Sequence, residues 1–183
     1  TIHIVDTTGP VITGNNTLTY EAGTVVTETQ FLTDANIVVT DNSGETIIPV
    51  VDLSGVNFNT PGTYTATVKA TDSAGNETMF TVTIVIKDTT NPTININTNN
   101  VTYEIGTTLT EAQVITDAGI TVTDNSGATI TSTIDLTNVN SNLVGDYTAT
   151  IKAVDASNNQ ATATITIHIV DTTGPVITGN NTL

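Results

Sequence analysis

Tyr64–Thr71 reads YTATVKAT, and Tyr147–Val154 reads YTATIKAV. In the first copy Tyr64, Ala66, Val68 and Ala70 share one face of an extended chain, while Thr65, Thr67, Lys69 and Thr71 share the other. Strict alternation of this kind is the pattern of a strand buried on one side. Asp72-Ser73-Ala74-Gly75-Asn76 follows as a turn, and the alternation resumes with Phe80, Val82, Ile84 and Ile86 facing one way. Two alternating runs around a Gly/Asn/Asp-rich turn make a β-hairpin. The same hairpin returns 83 residues later.

Working outward, Tyr20 aligned with Tyr103 brings Glu21 over Glu104, Gly23 over Gly106, Gln30 over Gln113 and Asp34 over Asp117. Asp41-Asn42-Ser43-Gly44 then lies over Asp124-Asn125-Ser126-Gly127. An Asp-Thr-Thr-x-Pro signature recurs at Asp6, Asp88 and Asp171, and Thr1–Leu18 returns letter for letter as Thr166–Leu183. A fixed period makes each repeat one structural unit and the chain a row of them. Residues 1–5 read as the final strand of a preceding repeat, 6–87 as a first whole repeat, 88–170 as a second and 171–183 as the start of another. Both end pieces are orphan strands. Their expected company is a sheet contributed from outside this segment, by a neighbouring repeat or by another subunit.

Within a repeat, further strands are expected at Pro10–Thr13, Thr17–Glu21, Ile37–Asp41 and Ile47–Leu53, while Thr27–Asp34 fits either a strand or a short helical turn. Six or seven short strands in about 82 residues describe a small antiparallel sandwich. The junctions Asp6–Pro10 and Asp88–Pro92 are short and proline-bearing, and with a self-repelling acidic surface they predict units joined end to end in an elongated array.

Threonine makes up roughly a quarter of the chain. Together with Val and Ile it favours the pleated, half-buried surface of a sheet, so the chain reads as all-β. Three Lys/Arg against eighteen Asp/Glu give a formal net charge of −15. Neutralising phosphates needs a basic surface, so nucleic acid is not an expected partner, and neither is direct contact with an anionic membrane. The absence of cysteine removes a disulfide framework without assigning a compartment.

The strings DTTGPVIT, YEAG, TDNSG and PGTYTATVKATDSAGNETMFTVTI, with their second set DTTNPTI, YEIG, TDNSG and VGDYTATIKAVDASNNQATATITI, resemble the bacterial immunoglobulin-like repeats of large Gram-positive surface proteins. The resemblance covers both whole repeats and the flanking pieces. It implies two tandem immunoglobulin-like antiparallel β-sandwiches in an extracellular, cell-surface stalk or fibre, and no catalytic residues. The expected partners are neighbouring repeats of the same chain or fibre, with any host or cell-surface ligand held elsewhere in the parent protein. One departure stands out: Asn158-Asn159 replaces the usual Gly-Asn, which puts the form of that turn in question.

Enzyme chemistry has little to work with. There is no Cys or Arg, and His3 and His168 are one position 165 residues apart, on the outward face of a terminal strand. Lys69 and Lys152 sit on the presumed solvent face, whereas a Lys–Asn isopeptide crosslink needs a buried, neutral lysine. The Asn-x-Thr triplets at Asn15, Asn76, Asn100 and Asn180 are expected by chance in a chain this rich in Asn and Thr. The carboxylates carry more. Asp6, Glu21, Asp41, Asp72, Asp88, Glu104, Asp124, Asp155 and Asp171 recur at matching places and form a candidate set for Ca²⁺, which takes six to eight oxygens and suits loops at domain ends. Ordinary turn chemistry is the competing reading, because Asp and Asn side chains bond their own backbone. An adhesive module gripping a glycan or protein through loops at one sandwich end is the alternative to a spacer. Against it stand the absence of Trp and Arg and the small aromatic total.

Overall fold

The computed structural model describes residues 1–179. Two compact units are built on the two whole repeats. The first contains β1 (Val11–Thr13), β2 (Thr17–Glu21), α1 (Glu28–Asp34), β3 (Val38–Thr40), β4 (Val50–Asp52), β5 (Gly62–Thr71) and β6 (Glu77–Lys87). The second repeats the order as β7 (Thr93–Ile96), β8 (Asn100–Glu104), α2 (Glu111–Asp117), β9 (Ile120–Thr123), β10 (Thr131–Asp135), β11 (Gly145–Val154) and β12 (Gln160–Val170). In each unit a two-stranded sheet faces a four-stranded one. The pairs are β1-β3 and β7-β9, and the larger sheets run β4-β5-β6-β2 and β10-β11-β12-β8.

The β5–β6 hairpin carries the core. Ala66, Val68, Ala70, Val82, Ile84 and Ile86 are buried, as the alternation requires; Val51 on neighbouring β4 extends this face, and Phe31 and Ala35 belong to the same core. Lys69 lies on the outer face, bonded to Glu77 at 2.6 Å across the same hairpin. The sandwich is antiparallel except for one pair in each unit. β2 runs parallel to β6, from Thr17 opposite Thr83 to Glu21 opposite Lys87, and β8 runs parallel to β12. The chain leaves β1 in one sheet and enters the other as β2 without reversing, so its new neighbour points the same way. The crossing happens at Gly14, where a Cβ would stand 2.7 Å from the carbonyl of Ala35.

Thr27–Asp34 resolves as a helix. Thr27 caps it by accepting the N–H of Gln30 at 3.2 Å, and Thr110 does the same for Gln113. A Thr-x-x-Gln string is a capping-box signature. Asp34 at the far end takes Gln30 Nε2 (2.7 Å) and the Tyr20 hydroxyl (2.8 Å), which pins the helix to β2. Burial and this carboxylate both push the Tyr20 phenol up from its ordinary value. The expected strand Ile47–Leu53 shortens to Val50–Asp52, because Pro49 has no N–H for the ladder. Its counterpart in the second unit is Ser132, and β10 is longer.

Thr1–Val5 lies outside any strand, with Ile2 and Ile4 91% and 94% exposed. The identical letters at Thr166–Val170 end β12, where Ile167 and Ile169 are 0% and 1% exposed. Sequence is the same in both places, so the surrounding sheet decides the conformation. Of the second copy of that segment, Asp171–Gly179 has no regular structure, and residues 180–183, including the Asn180 triplet, lie outside the described residues.

The Gly-x-Tyr string has a physical reason. Tyr64 bends back to donate its hydroxyl to Thr60 O at 2.9 Å, and Tyr147 does so to Leu143 O at 2.8 Å. A Cβ at Gly62 would stand 3.3 Å from the Tyr64 ring, so glycine leaves the ring its seat. This is the tyrosine corner of immunoglobulin-like sandwiches. Tyr64→Phe keeps the ring and removes the bond, and is expected to lower stability by about 1 kcal/mol. A urea titration of wild type against variant measures it.

Candidate functional site

Strand ends determine which carboxylates meet. In the first unit Asp6 precedes β1, Asp41 follows β3 and Asp72 follows β5. One carboxylate oxygen from each lies within 4.8 Å of the other two. Asp72 is buried and sits in its own turn, taking the Asn76 N–H at Oδ1 and Asn76 Nδ2 at Oδ2, both at 2.7 Å. The same Nδ2 reaches the carbonyls of Asp6 and Thr8 at 3.3 Å, tying the lead segment down. Asp41 Oδ1 takes the Ser43 N–H (2.9 Å) and hydroxyl (2.7 Å), and these bonds hold its carboxyl below the usual range. Asp41 Oδ2 is buried without a hydrogen-bond partner. Asp6 Oδ1 takes the Thr8 N–H at 3.0 Å and Asn42 Nδ2 at 3.3 Å.

Three like charges at this spacing repel, and the ion pairs Lys69–Glu77 and His168–Asp146 involve none of them. A hard divalent cation offers the relief that oxygen-only ligands suit. The set fits Ca²⁺: carboxylates from three loops, one buried oxygen without a partner, and carbonyls of Asp6 and Thr8 held close by Asn76.

In the second unit Asp124 follows β9, Asp155 follows β11, and their carboxylate oxygens again come within 4.8 Å. Asp155 is buried and bonds Asn159 through N–H and Nδ2, both at 2.8 Å. Asn158 occupies φ 70° where Gly75 has φ 90°, so the Asn-Asn turn keeps the geometry of the Gly-Asn one. Asparagine is among the few residues that tolerate this region. Asp88, at the exit of β6, is buried and accepts the Thr90 N–H at 3.3 Å. Asp171 is exposed and accepts the Thr173 N–H at 3.2 Å.

The two glutamates do something else. Parallel pairing lays the end of β2 beside the end of β6, so Glu21 reaches the residues leaving the unit. Its carboxylate takes the Thr89 N–H (2.7 Å), the Thr89 hydroxyl (3.0 Å) and the Thr90 hydroxyl (2.9 Å). Glu104 grips Thr172 and Thr173 in the same way, at 2.7, 2.8 and 3.1 Å. These are clamps on the departing chain. The Thr-Thr of the junction signature supplies their hydroxyls, and the signal was present in sequence as a Tyr-Glu pair followed by Thr-Thr at the same distance in both repeats.

The model of the internalin K domain (D3/D4) matches residues 10–86 and again 92–169. The chain belongs to that family. It is 29% identical, over its whole length, to internalin I of Listeria monocytogenes, of which it spans 10%. It is 33% identical over 92% of its length to an uncharacterized 81.3 kDa protein of Acholeplasma phage L2, spanning 23% of that protein. It is also 31% identical over 61% of its length to the serine-rich adhesin for platelets of Staphylococcus aureus, spanning 5% of it. Internalin K-type repeats of this kind thus occur in Gram-positive surface proteins. Among solved structures, Drosophila N-cadherin EC1-4 covers 90% of the chain at 13% identity and a TM-score of 0.44, with 50% of that structure covered. The fold assignment itself rests on the strand order above.

In these internalin K-type repeats the clamps have a pH signature. Glu21 is held below its ordinary value near 4.5, chiefly by the Thr89 N–H, and Glu104 is lowered chiefly by that of Thr172. A depressed folded value means the contribution is complete above the unfolded value and is lost as pH falls through the folded one. Amide exchange at Thr89 and Thr172, corrected for intrinsic rates, is therefore expected to accelerate below about pH 4.5. Glu21→Ala should expose Thr89 already at neutral pH and leave Thr172 unchanged.

Proposed function

We propose that this chain is a non-catalytic structural spacer: tandem immunoglobulin-like repeats of an extracellular surface stalk or fibre, with neighbouring repeats as its partners. The observation that carries the reading is the parallel pair that closes each four-stranded sheet. The unit is entered through β1 and β2 and left through β6. Tension between its ends therefore pulls two parallel strands in opposite directions and loads the pairs from Thr17–Thr83 to Glu21–Lys87 together, in shear. The second unit has the same arrangement from Asn100–Thr166 to Glu104–Val170. Antiparallel strands pulled at one end would open bond by bond. Belonging to a family found in surface proteins supports an exterior location, and the acidic surface supports solubility there. The reading is tested by a glycan array and a cell-binding assay with this chain. No saturable binding is expected, and saturable binding to cells or a glycan would favour the adhesive alternative.

Calcium belongs to the same proposal. Asp6, Asp41 and Asp72 would hold the ion in the first unit through their carboxylates, and its role would be to tie the lead segment to two loops. Asp124 and Asp155 are the matching acids of the second. A ligand that binds only the folded state raises its melting temperature by mass action. Millimolar CaCl₂ is expected to raise the melting temperature relative to chelator, and Asp41→Asn to diminish the rise. Superimposable melting curves would remove calcium from the account.

A further inference from the structure

In the second unit β10 stands at one edge of the larger sheet. It pairs with β11, from Thr131 opposite Val154 to Asp135 opposite Thr150, and no described strand lies on its other side. Such an edge presents a row of backbone N–H and C=O groups ready to pair with another strand. The first unit blunts the same edge. There Pro49, which has no N–H, limits β4 to Val50–Asp52. Offset by 83 residues, Ser132 takes the place of Pro49 and Thr133 that of Val50. The strand then runs over all 5 residues of Thr131–Asp135, with Thr131, Thr133 and Asp135 exposed and Ile134 buried. One repeat guards its edge, and the other leaves it open.

We propose that β10 is a self-pairing edge: it lies antiparallel against β10 of a second copy of this chain, about a two-fold axis at Thr133. The string Thr131-Ser-Thr-Ile-Asp135 is complementary to itself in this register. Thr133 faces Thr133 of the second copy, Thr131 faces Asp135, and Ser132 faces Ile134. Each carboxylate thus meets a hydroxyl, threonine meets threonine, and like charges, which destabilise when directly opposite, are kept apart. Centring the pair on Asp135 would instead set two carboxylates face to face. Lys152 stands opposite Thr133 on β11, so the acidic chain places a cation beside the middle of the seam. A seam this short is too small for a permanent interface, which makes the pairing weak and dependent on concentration. The inference goes beyond the spacer reading and is independent of it: a monomeric chain leaves the spacer intact, and glycan or cell binding through loops leaves the seam as described.

The test is sedimentation equilibrium of the full chain, in about 0.15 M salt to screen general repulsion and up to about 1 mM protein, where weak pairing is populated. A monomer–dimer equilibrium is expected. Thr133→Lys sets two like charges opposite each other at the two-fold axis and should abolish the dimer while leaving the melting temperature unchanged, because the position is exposed. Thr131→Lys faces Asp135 twice across the same axis and should tighten the dimer severalfold. Val50→Lys makes the same change of charge on the guarded edge of the first unit and should leave association as it is. A wild type that stays monomeric throughout, a dimer that survives Thr133→Lys, or one that Thr131→Lys fails to tighten would overturn the proposal. So would a dimer that Val50→Lys abolishes, since its seam would then lie at β4.

Discussion

The parallel pairing of β2 with β6, repeated by β8 and β12, is the constraint on which the rest of each unit depends. It places the last strand between two partners, β5 on one side and β2 on the other, so the strand by which the chain leaves is locked at the centre of the larger sheet. It seats Tyr20 where its hydroxyl can reach Asp34 and fix the helix. It also aligns the end of β2 with the end of β6, which is why Glu21 meets Thr89 and Thr90. Entry, helix and exit are coupled through one run of hydrogen bonds.

The two units reach the same architecture with different core side chains. All three phenylalanines of the chain, Phe31, Phe58 and Phe80, belong to the first repeat. Their counterparts are Val114, Ser141 and Ala163, while Val51, Val68 and Val82 become Ile134, Ile151 and Ile165. Only a small part of the volume lost at the rings is returned, as one methylene at each of three strand positions, so the second unit builds the same sandwich around smaller side chains.

Much of this was legible in the letters. Tyr64–Thr71 and its repeat carry a strand with one buried face, and the hairpin, the turns and the two-unit division follow from it. The parallel pair was not legible, because periodicity reports which face of a strand is buried and says nothing of its neighbour's direction. Thr27–Asp34 stayed ambiguous although Thr27-x-x-Gln30 is a capping signal, since seven residues are too few to show a helical period. Of the acidic candidates, Asp6, Asp41 and Asp72 do converge, whereas Glu21 and Glu104 hold threonines. Their shared recurrence marked all of them as useful without separating two jobs that only the topology distinguishes. Thr1–Val5 makes the complementary point: the same five residues are strand or exposed chain according to the sheet beside them.

The central claim, that each repeat is a load-bearing unit closed by strands in shear, is tested most directly by single-molecule force spectroscopy with the chain held by its two ends. Two separate unfolding steps are predicted, each lengthening the chain by about 29 nm less the end-to-end span of the folded repeat, from roughly 3.5 Å per extended residue over a repeat of about 82. Substitution of Tyr20 by proline, which breaks the β2–β6 rungs, should lower the force of one step and leave the other unchanged. Smooth extension without steps, or two steps whose forces ignore that substitution, would contradict the account.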